Sequence, residues 1–282
     1  MATVSLGLDD LMNSKEALEY LNIDKKAFEN YFKKSGEIKA FKQGGRWKFK
    51  KKDLDEWNYL KNHRIITLTL EEYEKCFEFA MKVVYGGSAM FGLGRSRSEM
   101  QAVDNWILGI LVEVALKKLL KKNFNFDIIL DDAVHPGRIT PKDIVGIKKN
   151  GKISEPKKFI GVKGSKWKSA YLIADEHGKT GRSADIYIFG RVNLPSDHLF
   201  RILRDHSFFK NVKEFLEKNE SFRKLKELKE VDVWICGYTI SKELELVNSI
   251  PGQDFRGTQK YVRSVAKMHN SDGDWERFIQ SL

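Results

Sequence analysis

The stretch PKDIVGIKKNGKISEPKKFIGVKGSKWKS occupies residues 141–169, and its pattern predicts two strands joined by a tight turn. Apolar residues alternate in DIVGIKK and again in KKFIGVK, and the pair Asn150-Gly151 between them is a strong hairpin signal. Asp143 opens the first strand, and Lys163 closes the second. We therefore expect the Asp143 carboxylate and the Lys163 ammonium group to converge at one edge of a sheet.

Further strand patterns lie on both sides of this stretch, and helical patterns surround them. EEYEKCFEFAMKVV and DNWILGILVEVALKKLLKK have the apolar spacing of packed helices, residues 196–228 look mainly helical, and the tail predicts short helices. Strands in the middle with helices before and after predict an α/β (α+β) fold with a mixed sheet flanked by helices. The additional strands are expected at residues 126–132, 169–174, 183–192 and 231–238.

The first 64 residues have a different pattern, so we divide the chain into domains at 1–64 and 65–282. SKEALEYLN and the segment after it have apolar residues at helical spacing, with Ser14 and Asp24 as expected N-caps. IKAFKQGGRWKFK predicts a hairpin with a glycine turn, and a third helix is expected from Asp53. The order helix, helix, hairpin, helix is typical of a small winged helix-turn-helix arrangement.

This segment resembles the excisionase and MerR-type DNA-binding fold, through SKEALEYLNID and GGRWKFKKKDLDEW. In that family the second helix enters the major groove and the wing touches the DNA backbone. The resemblance implies that the helix at 25–34 faces the groove, although the same fold could instead mediate protein contacts or cap the larger domain. The residues that the resemblance assigns to DNA are Lys25, Lys26, Arg46, Lys48 and Lys50.

Composition indicates a folded chain with an anionic partner. The 282 residues carry a net charge of +11, of which residues 1–64 contribute only +4, and 41% of them are hydrophobic, which makes a disordered chain a poor interpretation. No apolar run reaches the length that spans a bilayer, and the N-terminus has no cleavable apolar core, so we expect a cytoplasmic protein without a membrane partner. Cys76 and Cys236 belong to no metal-ligand or disulfide pattern.

Glu113 adds a second carboxylate, because it interrupts an apolar helix that should pack on the sheet. Two carboxylates and a lysine form a plausible site for Mg²⁺, which prefers oxygen ligands and keeps several waters. Such a cation stabilises charge on a phosphate and lowers the pKa of an attacking water, while the lysine orients that water. Taken singly, Asp143 could be a turn residue, Glu113 could pair with Lys117, and Lys163 could belong to a solvated basic edge.

Residues 95–240 resemble the PD-(D/E)XK nuclease superfamily, and more narrowly a prokaryotic type II restriction endonuclease. WILGILVEVALKKLL, PKD, FIGVKGSK and SADIYIF carry this resemblance. It implies Mg²⁺-dependent hydrolysis of double-stranded DNA, with Asp143 as the principal metal ligand and Glu113 as a supporting acid. It also implies that Lys163 is the catalytic lysine and that the backbone carbonyl of Val162 is a further ligand. Cleaving both strands of a palindromic site needs two active sites, so a homodimer is expected.

The sequence departs from this family at Gly161, where the family has Asp or Glu two residues before the lysine. Glycine supplies no carboxylate, and three explanations are open. The acid could have been replaced to trap an uncleaved complex, another acid such as Glu113 or Glu155 could act in its place, or the domain could bind DNA without cutting it. A non-catalytic transcription regulator and an endonuclease specific for modified DNA are the alternative functions.

Basic residues around the expected site are candidates for DNA contacts. Lysines near it would hold phosphates, and arginines on loops could pair with guanine edges. Asp185 is expected to be a structural acid or to contact the residues that bind the metal without binding it itself. The histidines have no metal-ligand spacing. The expected phosphate contacts are Lys157, Lys158, Lys166 and Lys168, and the expected base contacts are Arg95, Arg97, Gln253 and Arg256.

Overall fold

The computed structural model confirms a mixed α and β fold with a helix-turn-helix unit at the N-terminus. It describes residues 11–85, 99–135, 142–149, 151–175, 177–178, 183–207, 210, 214, 217–218 and 226–282. No helix in these ranges is long and apolar enough to cross a membrane. The helices are α1 (Ser14–Leu21), α2 (Lys25–Glu29, continued by a π-helical turn at Asn30–Lys34), α3 (Lys51–Arg64), α4 (Leu70–Tyr85), α5 (Glu99–Phe124), α6 (His198–Leu203) and α7 (Asp272–Ser281).

The strands form several sheets. The strands are β1 (Leu11–Met12), β2 (Phe41–Gln43), β3 (Arg46–Lys50), β4 (Ile65–Thr69), β5 (Asp127–Leu130), β6 (Ile144–Lys149), β7 (Lys152–Ser154), β8 (Ile160–Lys166), β9 (Tyr171–Ala174), β10 (Ile186–Val192), β11 (Glu230–Ile240), β12 (Glu245–Val247), β13 (Ser249–Ile250), β14 (Gln253–Asp254) and β15 (Lys260–Ser264). One sheet has the order β1-β3-β2, and a four-stranded sheet has the order β4-β11-β10-β8. Two smaller sheets have the orders β5-β6-β7 and β12-β15-β9, with β13 and β14 as a separate pair.

The N-terminal unit follows the predicted order, with a different residue at the first cap. Asn13, and not Ser14, caps α1, because its extended backbone lets its Oδ1 accept from the Lys15 N–H at 2.8 Å. Asp24 caps α2 as predicted. The wing turns at Gly44-Gly45, where φ values of +57° and +75° require glycine. Helix α3 starts two residues earlier than expected and runs directly into β4, so the domain division at this point stays a prediction.

The four-stranded sheet is mixed, because β10 and β8 are parallel whereas β11 pairs antiparallel with both β10 and β4. Its edge strand β4 was not predicted, because helices were expected at the start of residues 65–282. The short run IITLT lies between two helices and pairs only with a strand more than 160 residues later, at Val231↔Leu68. The tail contains β12 to β15 as well as α7, so the expectation of helices alone was wrong there.

The predicted hairpin exists, but its second strand was assigned wrongly. The register Lys149↔Lys152 leaves a two-residue turn, so the partner of β6 is the short β7 and not the segment 157–163. That segment contributes to β8, which pairs with β10 in the four-stranded sheet. Asp143 therefore lies just before β6, and Lys163 lies inside β8 rather than at the end of a hairpin strand.

Two paired glycines let α5 pack unusually close to the sheet. Gly164 of β8 and Gly190 of β10 are register partners on the face that α5 covers. A Cβ at Gly164 would overlap the Leu108 carbonyl, and one at Gly190 would lie 2.5 Å from a Val112 methyl group. The close approach places Leu108 of α5 over β8 and Val112 over β10.

The N-terminal unit covers the opposite face of the sheet. Arg191 of β10 is fully buried there, and its guanidinium binds both Glu37 carboxylate oxygens at 2.7 and 3.0 Å. Its Nε–H donates to the Ser169 carbonyl at 2.5 Å, and the guanidinium lies 4.9 Å from the Trp234 ring centroid. Tyr31 packs against Trp234 from the N-terminal side. The two parts of the chain therefore share one core around a buried ion pair.

Removal of Glu37 should destabilise the whole protein. Glu37→Ala leaves the Arg191 charge buried without its partner, and we expect a loss of about 3–5 kcal/mol in the free energy of unfolding. Denaturant unfolding of both variants measures this loss. The matched control is Glu56→Ala, which breaks the exposed pair with Lys39 at 3.7 Å and should cost less than about 1 kcal/mol. Equal stabilities for the two variants would contradict the role given to the buried pair.

Candidate active site

Asp143 contacts the free edge of β8. The Val162 N–H donates to Asp143 Oδ2 at 2.5 Å, and the Asp131 N–H donates to the Asp143 backbone carbonyl at 3.3 Å. Strand β8 stands at the end of its sheet, with β10 on its other side. Because the N–H and C=O of one strand residue point to the same side, the Val162 carbonyl faces the same edge as its N–H. Asp143 and this carbonyl thus lie on one side of β8.

Glu113 and Lys163 belong to the same group of charges. Burial raises the pKa of the half-buried Glu113 well above its ordinary value, and the negative charges of Asp143 and Asp131 raise that pKa further. The positive charge of Lys163 acts in the opposite direction. The charges of Asp143, at a strand start, and of Lys163, inside a strand, therefore both act on Glu113 of α5. Their catalytic and metal-binding roles stay predictions.

Asp131 is a member of this group that the sequence analysis did not select. It follows β5, which pairs with β6, so the end of β5 comes next to Asp143. Its carboxylate lies 2.9 Å from His135 Nε2. The available signal was the acidic ending of the segment FDIILDD, beside a second strand that carries Asp143 at its start.

Gly161 is packed in a way that bears on the missing acid. It is buried, and a Cβ added to it would lie 3.3 Å from the Ala184 Cβ and 3.3 Å from the Tyr187 ring. A larger side chain at this position would therefore have to displace its neighbours. Glu155, the other acid considered as a replacement, is exposed and pairs with Lys142 at 3.2 Å. Glu113 is thus better placed than Glu155 to supply the carboxylate that Gly161 lacks.

Metal ligation by these residues would depend on few protein groups. Among the residues that the structure describes, no group of three or more His, Cys, Asp or Glu side chains could hold a metal ion. The Asp185 carboxylate has a different contact. It accepts from the Phe159 N–H at 2.8 Å and so fixes the start of β8. The acids that carry the candidate site are therefore Glu113 and Asp143, with Asp131 beside them.

The predicted DNA contacts are spread over two parts of the surface. Lys25, Lys26 and Arg46 are exposed on α2 and the wing, whereas Lys48 and Lys50 are half-buried. Among the DNA contacts predicted in residues 65–282, the exposed ones are Lys157, Lys158, Lys166, Lys168, Gln253 and Arg256. Arg95 and Arg97 lie outside the described residues.

Comparison with known proteins identifies one part of the chain. Residues 11–57 match the model of a helix-turn-helix domain. No curated protein and no solved structure matches the chain. The helix-turn-helix prediction is confirmed, and a domain of this type suggests DNA binding. The match gives no support to the endonuclease resemblance of residues 95–240, which stays a prediction.

Crowding at Gly161 should be measurable. We expect Gly161→Ala to lower the free energy of unfolding by about 1–3 kcal/mol, because its methyl group meets Ala184 and Tyr187. Adding Ala184→Gly removes one of the two obstacles and should recover part of that loss. Denaturant unfolding of both single variants and the double variant gives the coupling. Strictly additive losses would show that the two positions do not compete for space.

The raised pKa of Glu113 should appear in the pH dependence of stability. Between pH 4.5 and the folded-state pKa, the native protein holds a proton that the unfolded chain has released. The contribution of Glu113 to stability is therefore fully present below pH 4.5 and is lost as the pH rises through the folded pKa. The free energy of unfolding is measured for wild type and Glu113→Gln in chelator. The difference between the two free energies should change in this pH window, with the variant the more stable protein at higher pH. A difference that does not depend on pH would contradict the raised pKa.

Proposed function

We propose that the protein is a Mg²⁺-dependent endonuclease of restriction type that cuts double-stranded DNA and binds it partly through the N-terminal domain. The observation that carries this proposal is the Asp143 carboxylate at the edge of β8, where it accepts from the Val162 N–H, with the charges of Asp143 and Lys163 both acting on Glu113. The helix-turn-helix match supports DNA as the partner. Cleavage of both strands at a symmetric site would require two copies of this chain, so a homodimer is part of the proposal.

The residues present fit a divalent cation with few protein ligands. Burial and then the negative charges of Asp143 and Asp131 raise the pKa of Glu113, and a bound cation would offset that negative charge. Asp143, Glu113 and the Val162 carbonyl are the oxygen donors that would hold Mg²⁺. When bound, the cation would stabilise charge on the scissile phosphate and acidify a water.

The chain's own groups then have separate tasks. The Val162 N–H, by donating to Asp143, fixes the orientation of that carboxylate. Lys163 supplies positive charge beside the acids, where it can orient an attacking water and neutralise charge that develops on the phosphate. Lys166, later on the same strand, and Lys168, just after it, are exposed and can hold the neighbouring phosphates.

A transcription regulator without catalysis is the second candidate. Gly161 supplies no acid, and the described residues contain no group of three metal-binding side chains, which favours binding without cutting. In this case the N-terminal domain would read an operator and the larger domain would form the dimer. An endonuclease restricted to modified DNA is the third candidate function, since the N-terminal domain could recognise the modification.

Incubation with DNA separates these functions. We expect the wild-type chain with Mg²⁺ to cut methylated or unmethylated bacteriophage DNA into discrete fragments, with loss by several orders of magnitude in Asp143→Asn and Lys163→Met. Glu155→Gln is the matched control and should retain activity, because Glu155 is exposed and pairs with Lys142. Cleavage confined to methylated DNA would support the endonuclease that is restricted to modified DNA. Bound but uncut DNA under all conditions would overturn the endonuclease and support the regulator.

A further inference from the structure

The second helix of the N-terminal domain contacts the turn that follows β8. The Asn30 side-chain amide donates to the Lys168 carbonyl at 3.5 Å, at an exposed position. Lys26 and Asn30 are four residues apart, which places them on one side of the helix, and Lys33 and Lys34 lie in the π-helical turn that continues it. The exposed side of this helix therefore adjoins the basic turn at Lys168.

Lysines continue across this junction. Lys26, Lys33 and Lys34 are exposed on the helical side, and Lys166 and Lys168 are exposed on the β8 side. One acid interrupts the helical side, since Glu29 pairs with Lys33 at 3.1 Å. Lys163 precedes Lys166 by three strand residues, so the two side chains leave opposite faces of β8. The basic surface therefore begins at the end of β8 that follows the candidate site.

A single buried side chain holds the two halves of this surface together. Arg191 binds Glu37, three residues after Lys34, and also the carbonyl of Ser169, the residue after Lys168. Both bonds are made by one guanidinium inside the core, so neither half can shift without breaking a buried polar contact. The helix and the turn are therefore positioned relative to each other by packing and not by a flexible tether.

We infer that Lys26, Lys33 and Lys34 of the helix and Lys166 and Lys168 of the β8 turn form one surface that binds a single DNA duplex. This rests on the proposed DNA-directed function and adds to it the path of the duplex. The helix-turn-helix domain and the candidate active site then engage the same duplex at a fixed separation. Cleavage would occur at a constant distance from the bases that the helix contacts.

The salt dependence of binding tests the surface in chelator, where no cutting occurs. A mixed-sequence 30-base-pair duplex is titrated with wild type, with Lys33→Gln/Lys34→Gln and with Lys166→Gln/Lys168→Gln. Each pair should reduce the slope of log K against log salt by up to about 1.8, and their combination by about twice that, because each phosphate contact contributes about 0.9. The stoichiometry of binding should stay at one duplex per basic surface in every titration.

Matched variants sharpen the result. Lys75→Gln/Lys82→Gln removes two exposed lysines from α4, which packs against α5 on the other face of the sheet, and should leave the slope unchanged. Glu29→Gln removes the acid beside Lys33 and should tighten binding. An unchanged slope in either test pair, two duplexes per chain, or no binding of DNA would overturn the inference.

Failure of the inference and failure of the endonuclease can be told apart. If the lysine pairs lower the slope while Mg²⁺ produces no cleavage, the surface stands and the protein is a binder. If DNA is cut but one lysine pair has no effect on binding, the catalytic proposal stands and the single-duplex surface is wrong.

Discussion

The buried ion pair between Arg191 and Glu37 is the contact on which the arrangement of the protein depends. It joins the N-terminal unit to the middle of the four-stranded sheet, and the same guanidinium binds the Ser169 carbonyl just after β8. A charge placed in a core requires complete pairing, because an unpaired one costs several kcal/mol. The surrounding rings of Tyr31 and Trp234 exclude water from it. One interaction therefore sets both the domain packing and the geometry of the basic surface.

The two faces of the sheet have different tasks. One face receives the N-terminal unit, and the other receives α5 through the slot made by Gly164 and Gly190. That slot holds the part of α5 that carries Glu113 against the sheet, and Asp143 reaches the edge of β8 from the separate sheet that contains β6. Charges from three elements then meet in a partly buried place, and the raised pKa of Glu113 follows from burial and from its acidic neighbours.

Much of this could be predicted locally. The glycine turn of the wing, the Asp24 cap and most strands follow from short-range patterns, and the charges of Asp143 and Lys163 do act on Glu113. The strand pairings could not be predicted in the same way. The two-residue turn before Lys152 directs β6 to β7, whereas β8 pairs with a strand more than twenty residues later. Asp131 was missed because its neighbour Asp143 is brought close only by the pairing of β5 with β6.

The sequence by itself determined the types of most elements, though not of β4 or of the strands in the tail, together with the basic character and the choice of Glu113, Asp143 and Lys163, because periodicity, caps and turn glycines act over a few residues. Only the tertiary structure decided what those residues face. It showed that Gly161 is packed against Ala184 and Tyr187, that Glu155 pairs with Lys142 at the surface, and that the helix at Lys33 adjoins the turn at Lys168. These relations depend on contacts between residues far apart in the chain, which no local pattern encodes.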